Sequence, residues 1–195
     1  KTAIRKRYGI GADAFVVLCV CQVQTRIGVL DFVEVAKQLP DITFVWAGGF
    51  SFGKITDGYQ ELAQIMEHPP ANVKFLGIVP RSEMNDIFNA ADVLFMPSYN
   101  ELFPMSILEA VNVRRPLVLR DLELYEDILF HQYMEGKDNA QFVHALRVLK
   151  EDPQEYLRWQ NASTKIADFY SKEHVLQIWR EFYTRIYRER HHKKK

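Results

Sequence analysis

Hydrophobic positions along the chain follow two alternating patterns. Residues 15–21, 42–47, 73–76, 93–96 and 117–119 form short β-branched or aromatic runs that are nearly unbroken in hydrophobicity. Runs too short for a helix and apolar throughout predict strands buried on both faces. Between them lie helical patterns. In 28–39, Phe32, Val35, Ala36 and Leu39 recur at i, i+3, i+4 and i+7, the spacing of one helix face. Further helices are predicted over 56–67, 82–89 and 104–113, and a weak sixth strand over 130–134. Beyond it the pattern is helical only. Residues 139–150 bury Phe142, Ala145, Leu146 and Leu149, and 153–170 opens on Pro153, suited to a first turn. Residues 173–190 carry Val175, Ile178, Trp179, Phe182 and Ile186 on one stripe, and most of the aromatics Trp179, Phe182, Tyr183 and Tyr187 are expected to be core.

Strand–helix alternation at this pitch predicts an α/β fold: a Rossmann-like parallel sheet of about six strands, helices on both faces and a helical C-terminal extension. No repeat or linker interrupts it, so 1–190 reads as one domain and 191–195 as a basic, disordered tail. In such sheets ligands bind beyond the carboxyl ends of the strands. Chemistry is therefore expected in the loops 22–28, 48–54, 77–81, 97–104 and 120–123.

Composition narrows the partners. The 195 residues hold 25 Lys+Arg against 25 Asp+Glu, so no net field recruits nucleic acid. His191 and His192 in the tail lack the spaced Cys, Asp or Glu of a metal site. Cys19 and Cys21 fall on one face of one strand, poor geometry for a mutual disulfide, and read as small buried hydrophobes. With neither a signal peptide nor a membrane-length apolar run, a soluble cytosolic chain is expected.

The informative segment is 97–109, Pro-Ser-Tyr-Asn-Glu-Leu-Phe-Pro-Met-Ser-Ile-Leu-Glu. It follows a buried strand and opens a helix near Pro104. The first N–H groups of that helix lack internal partners and sit at its positive dipole end, a setting that favours a phosphate. Glu101 precedes this entrance and Glu109 lies about a turn and a half inside. Carboxylates accept hydrogen bonds from paired hydroxyls, so both suit a ribose diol or a sugar ring. Two glutamates near a helix start also arise by chance, and acidic residues favour that end regardless. Spacing alone leaves both readings open.

The segment and its surroundings resemble retaining family 4 glycosyltransferases. Glu101 and Glu109 match that family's E-x7-E element. Asn72-Val-Lys-Phe-Leu-Gly-Ile-Val-Pro-Arg-Ser-Glu-Met resembles its V-x-F-x-G strand and loop, Ala90-Ala-Asp-Val-Leu-Phe-Met-Pro-Ser its A-D-x-x-x-x-P-S strand, and Leu108-Glu-Ala with Arg115-Pro-Leu-Val its L-E-A…P-V-V. Thr25-Arg-Ile-Gly28 resembles the x-R-K-G loop. The wording of 22–26, 40–49 and 95–105 is most similar to diacylglycerol glycosyltransferases of Gram-positive bacteria.

The resemblance implies the donor-holding, C-terminal half of a two-domain GT-B enzyme. Glu101 is implied as the catalytic residue at the donor sugar and Glu109 as the ligand of the ribose hydroxyls. N–H groups of Phe103, Pro104's turn, Met105 and Ser106 would hold diphosphate and sugar, and Ile78 the base, expected to be uracil. Gln22 and Ile27 fall at the positions that pair with the diphosphate in the family, and Arg26 is implied as a further donor-binding residue without being the main phosphate contact. The donor would be a nucleotide sugar, UDP-glucose or UDP-galactose, used without metal or other cofactor. The acceptor would be a lipid such as diacylglycerol or a glycosyl-diacylglycerol, met at the inner face of the membrane through an N-terminal domain that this sequence lacks.

Two departures weaken the donor site. Where the family places an Arg and a Lys against the diphosphate, this chain has Gln22 and Ile27, and Cys19 and Cys21 occupy positions where related sequences often have glycine. Losing a charge-assisted bond to buried phosphate costs ~1.5–3 kcal/mol. Weak donor binding with no turnover by the domain alone is the expectation. The alternative is a ligand-silent, degenerate or engineered domain of the same fold. A dinucleotide site at Gly48, Gly49 and Gly53 fits poorly, because the spacing is not G-x-G-x-x-G and follows the second strand.

Overall fold

The computed structural model describes residues 2–192. Its order is α1 (Thr2–Arg7), β1 (Val16–Val20), α2 (Val29–Gln38), β2 (Thr43–Ala47), α3 (Tyr59–Glu67), β3 (Val73–Gly77), α4 (Met84–Ala90), β4 (Val93–Met96), α5 (Met105–Asn112), β5 (Leu117–Arg120), α6 (Glu123–Leu129), β6 (Met134–Gly136), α7 (Asn139–Glu151), α8 (Pro153–Phe169) and α9 (Lys172–His192). The strands form one six-stranded sheet in the order β3-β2-β1-β4-β5-β6. Every neighbouring pair is parallel, with Val17 opposite Phe44 on one side and Val93 on the other. Right-handed crossovers that run outwards in both directions from β1 and β4 must place their helices on opposite faces. Accordingly, α2 packs on α7 while α5 packs on α8 and α4.

The four inner strands are almost wholly buried because helices cover both faces, while the edge strands β3 and β6 are partly exposed. Under α2 and α7, Phe32 stands edge-on to Phe44 and Trp46 and stacks on Phe95 at 5.7 Å, and Phe95 meets Phe142 at 5.0 Å. Asp138 and Asp152 cap α7 and α8, their carboxylates accepting from Gln141 N–H and from Gln154 and Glu155 N–H.

Four sequence expectations change. Two short helices, α1 and α6, were not anticipated. The sixth strand lies at 134–136 rather than 130–134, because Phe130 and His131 adopt left-handed φ of 55° and 53° and end α6. The aromatic stripe of α9 is not core: Trp179, Phe182, Tyr183 and Tyr187 are exposed, since α9 meets the body chiefly at α8. The helix also continues through His191 and His192, the first residues of the expected tail, and 193–195 lie outside the described residues.

Candidate functional site

The strand order reverses between β1 and β4, and their two loops are fastened together beyond the carboxyl ends. Tyr99 N–H donates to Arg26 O at 2.9 Å, and the Arg26 guanidinium donates to Asn100 O at 3.0 Å and to Gln24 Oε1 at 3.0 Å. Ser98 Oγ donates to Asn100 O at 3.2 Å. Gly28 makes the approach possible: its φ is 80°, and a Cβ there would lie 2.5 Å from Pro97 O. From β5, the buried Arg120 donates from Nε to Pro97 O at 2.8 Å, pairs with Asp31 at 3.4 Å and stacks its guanidinium on the Tyr99 ring at 3.8 Å.

The row of loops continues on the other side. Val23 N–H donates to Gly49 O at 3.0 Å, and Gly48 N–H to Gly77 O at 2.8 Å. Gly48 comes so close to Cys21 O that any Cβ would overlap it. Ile78 follows Gly77 and is 74% exposed, an apolar surface beside Gly49 of the kind a base can lie on.

At the centre, α5 starts after Pro104 with no side chain capping it. Its first turn carries Met105, largely exposed, and Ser106, whose Oγ donates to Met96 Sδ at 3.3 Å. Pro104 therefore occupies the cap position rather than the first turn. Phe103 stands edge-on to Tyr170, ring centroids 5.5 Å apart. Glu101 precedes this entrance, and its Oε1 is buried without a hydrogen-bond partner among the described residues. Its charge reaches inwards. Cys21, half-buried at the end of β1, has its thiol pushed up to about 11 by burial and then by Glu101. Cys19 is raised by burial, with Cys21 and Glu101 adding to it, and Tyr125, its hydroxyl also unpartnered, by burial and then Glu101. Glu109 faces the neighbouring loop, where the Arg81 guanidinium holds its Oε1 at 2.6 Å.

The structure thus places Gln22, Arg26, Ile78, Glu101, Phe103 and Pro104 in loops beyond the carboxyl ends of the strands, and Met105, Ser106 and Glu109 in the first turns of α5 that follows them. It corrects Ile27. That residue is 1% exposed within the core, because the 3-10 turn Thr25–Ile27 points it inwards, so its side chain cannot line a diphosphate. Gln22 accepts from Gln24 Nε2 at 2.8 Å, and Arg26 is committed to the loop it braces. Arg81 and Arg120 were missed. The only sequence signal for Arg120 is a charge ending a strand buried on both faces. Arg81 stood within a quoted motif, with nothing in its spacing to tie it to Glu109.

This fold recurs in known proteins. Residues 1–166 match the family model of glycosyl transferases group 1. The chain belongs to that family. It is 43% identical over 180 residues to the alpha-galactosylglucosyldiacylglycerol synthase of Streptococcus pneumoniae, covering 92% of this chain and 48% of that protein. The processive diacylglycerol alpha-glucosyltransferase of Acholeplasma laidlawii is 33% identical over 158 residues, 80% of this chain and 47% of that one. The chain spans about half the length of the curated relatives it matches. Among solved structures, Anabaena HepE in complex with UDP-glucose superposes with a TM-score of 0.79 at 20% identity, over 94% of this chain and 52% of that one. The C-terminal domain of the group 1 glycosyl transferase LpcC from Francisella tularensis gives 0.69 at 19% identity, over 87% of this chain and 91% of that one. The sheet and its helical extension therefore have the Rossmann-like fold of a GT-B domain, and the chain is a glycosyl transferases group 1 domain related in sequence to diacylglycerol glycosyltransferases.

Proposed function

We propose that the chain is the donor-binding half of a retaining glycosyltransferase, taking a UDP-sugar, glucose or galactose, for transfer to a diacylglycerol-type lipid. The observation that carries this is the uncapped start of α5 at the sheet reversal, between Glu101 and Glu109. Unpaired N–H groups and the helix dipole suit a diphosphate there. They also stabilise the charge that grows on it as the glycosyl bond breaks, the kind of term that dominates such catalysis. Glu109 takes the ribose hydroxyls, Ile78 the uracil, and Glu101 the donor sugar, each carboxylate as an acceptor of hydroxyl hydrogen bonds. Support comes from the UDP-glucose bound to HepE and from the diacylglycerol lipids in the names of the two relatives. Transfer needs reactants aligned from both sides of a cleft, so the domain alone binds and does not turn over. The lipid acceptor brings the whole enzyme to a membrane surface, although no helix among the described residues is long and apolar enough to cross one.

Calorimetric titration of the 195-residue chain with UDP, UDP-glucose and UDP-galactose tests this. Binding between micromolar and millimolar strength is expected, and silence towards all three at millimolar concentration overturns it. The buried Ile27 and the Gln22–Gln24 bond favour a second reading, a domain that has lost its ligand. Gln22→Arg separates the two. In a live site it adds a charge-assisted bond and tightens UDP by roughly tenfold or more; in a silent one it changes nothing. Ile27→Lys is the wrong probe, because it buries an ammonium in the core at a cost of at least ~2 kcal/mol.

A further inference from the structure

Glu109 is held by a residue from another element. Arg81 Nη1 lies 2.6 Å from Glu109 Oε1, the arginine side chain 82% exposed and the glutamate 23%. The pair forms part of the wall of a cavity of about 230 Å3 that Met84, Asn85, Phe88 and Asn112 complete. A glutamate on a helix turns about several side-chain bonds, and accepting from two adjacent hydroxyls at once requires the plane of its carboxylate to be set. One guanidinium nitrogen on Oε1 restricts that plane and leaves Oε2 free to accept.

The arginine has a firm base. Pro80 precedes it with φ fixed near −56°, and the 3-10 turn Arg81–Glu83 is closed by Glu83 N–H donating to Pro80 O at 2.9 Å. From α1 and the residue after it, Arg7 pairs with Glu83 at 3.3 Å and Tyr8 O–H donates to the same carboxylate. The chain of contacts runs from α1 through Glu83 to Arg81 and ends on Glu109. Arg81 follows the loop that carries Ile78, so its pairing with Glu109 ties that loop to α5.

We infer that Arg81 is a positioning residue for Glu109, fixing the carboxylate so that the site prefers a ribonucleotide over its 2′-deoxy counterpart. This rests on the donor-site reading above. It is tested by measuring the dissociation constants of UDP and 2′-deoxy-UDP for the unsubstituted chain, Arg81→Gln and Arg81→Lys. The exposed arginine can be replaced without loss of fold, which a melting curve verifies. For Arg81→Gln, UDP should weaken about three- to fivefold, the scale of an exposed ion pair, while 2′-deoxy-UDP changes by less than about twofold; Arg81→Lys should regain most of the loss. Equal weakening of both nucleotides would make Arg81 a direct ligand and overturn the inference, as would no change in either. If neither nucleotide binds the unsubstituted chain, the donor-site reading itself fails and the positioning role falls with it.

Discussion

Cys21 registers the charge of Glu101 without touching a ligand. Its thiol is pushed up to about 11 by burial first and by Glu101 second, and only the thiolate alkylates. Cys21 should therefore react with iodoacetamide at pH 8.5 far more slowly than an ordinary thiol. Glu101→Gln removes one of the two causes, lowers the thiol's pKa and should speed labelling at that pH; an unchanged rate, read by mass spectrometry of the Cys21 peptide, would contradict their electrostatic contact. The candidate pair Glu101 and Glu109 was legible because a motif fixed both positions relative to a strand and a helix start. Ile27 misled for the opposite reason. Sequence alignment assigns a position in the loop, but only the turn geometry decides which way the side chain points.

Among elements, the strands were legible because burial on two faces leaves unbroken apolar runs. Helix α1 hid behind the composition Thr-Ala-Ile-Arg-Lys-Arg, which reads as solvated. Its Arg5 is nevertheless buried, giving hydrogen bonds to Ala90 O at 3.0 Å and to Ala12 O and Ala14 O at 2.7 Å, and an ion pair to Asp92 at 2.8 Å. Breaking such a pair typically costs ~3–5 kcal/mol, so Arg5→Ala should lower the melting temperature by roughly 6–20 °C. The Tyr8–Glu83 clip adds a pH signature. Glu83 is lowered from 4.5 by Tyr8, so its contribution is full above that pH and is lost as pH falls through the lowered value. Tyr8 is raised from 10.0 by Glu83, so its contribution is present below that pH and is lost as pH rises through the raised value. The melting difference between the unsubstituted chain and Tyr8→Phe should be constant between about pH 5 and 9.5 and shrink on both sides. Helix α6 escaped notice because Tyr125 and Leu129 are its buried positions within a short acidic stretch.

At the scale of the molecule, the aromatic stripe of α9 shows the limit of periodicity: a 3.6-residue pattern marks a face that avoids water, not what covers it. Because α9 meets the body chiefly at α8, a chain ending at Ser171 should melt within about 3 °C of the full one, a loss under ~1 kcal/mol; a larger drop would mean the helix packs on the sheet domain in solution. The fastening of the loops has a different consequence. Those after β1 and β4 are tied through Arg26, Asn100 and Tyr99 and locked to β5 by Arg120, forming a fixed jaw. Opposite it, the loop after β3 is joined by the Gly48–Gly77 bond and the Arg81–Glu109 pair, and it turns on Gly77 at φ 68°. On the donor reading proposed above, residues 78–80 lie outside the Arg26–Asn100–Arg120 fastening, so exchanging them should alter which base is accepted without disturbing the start of α5.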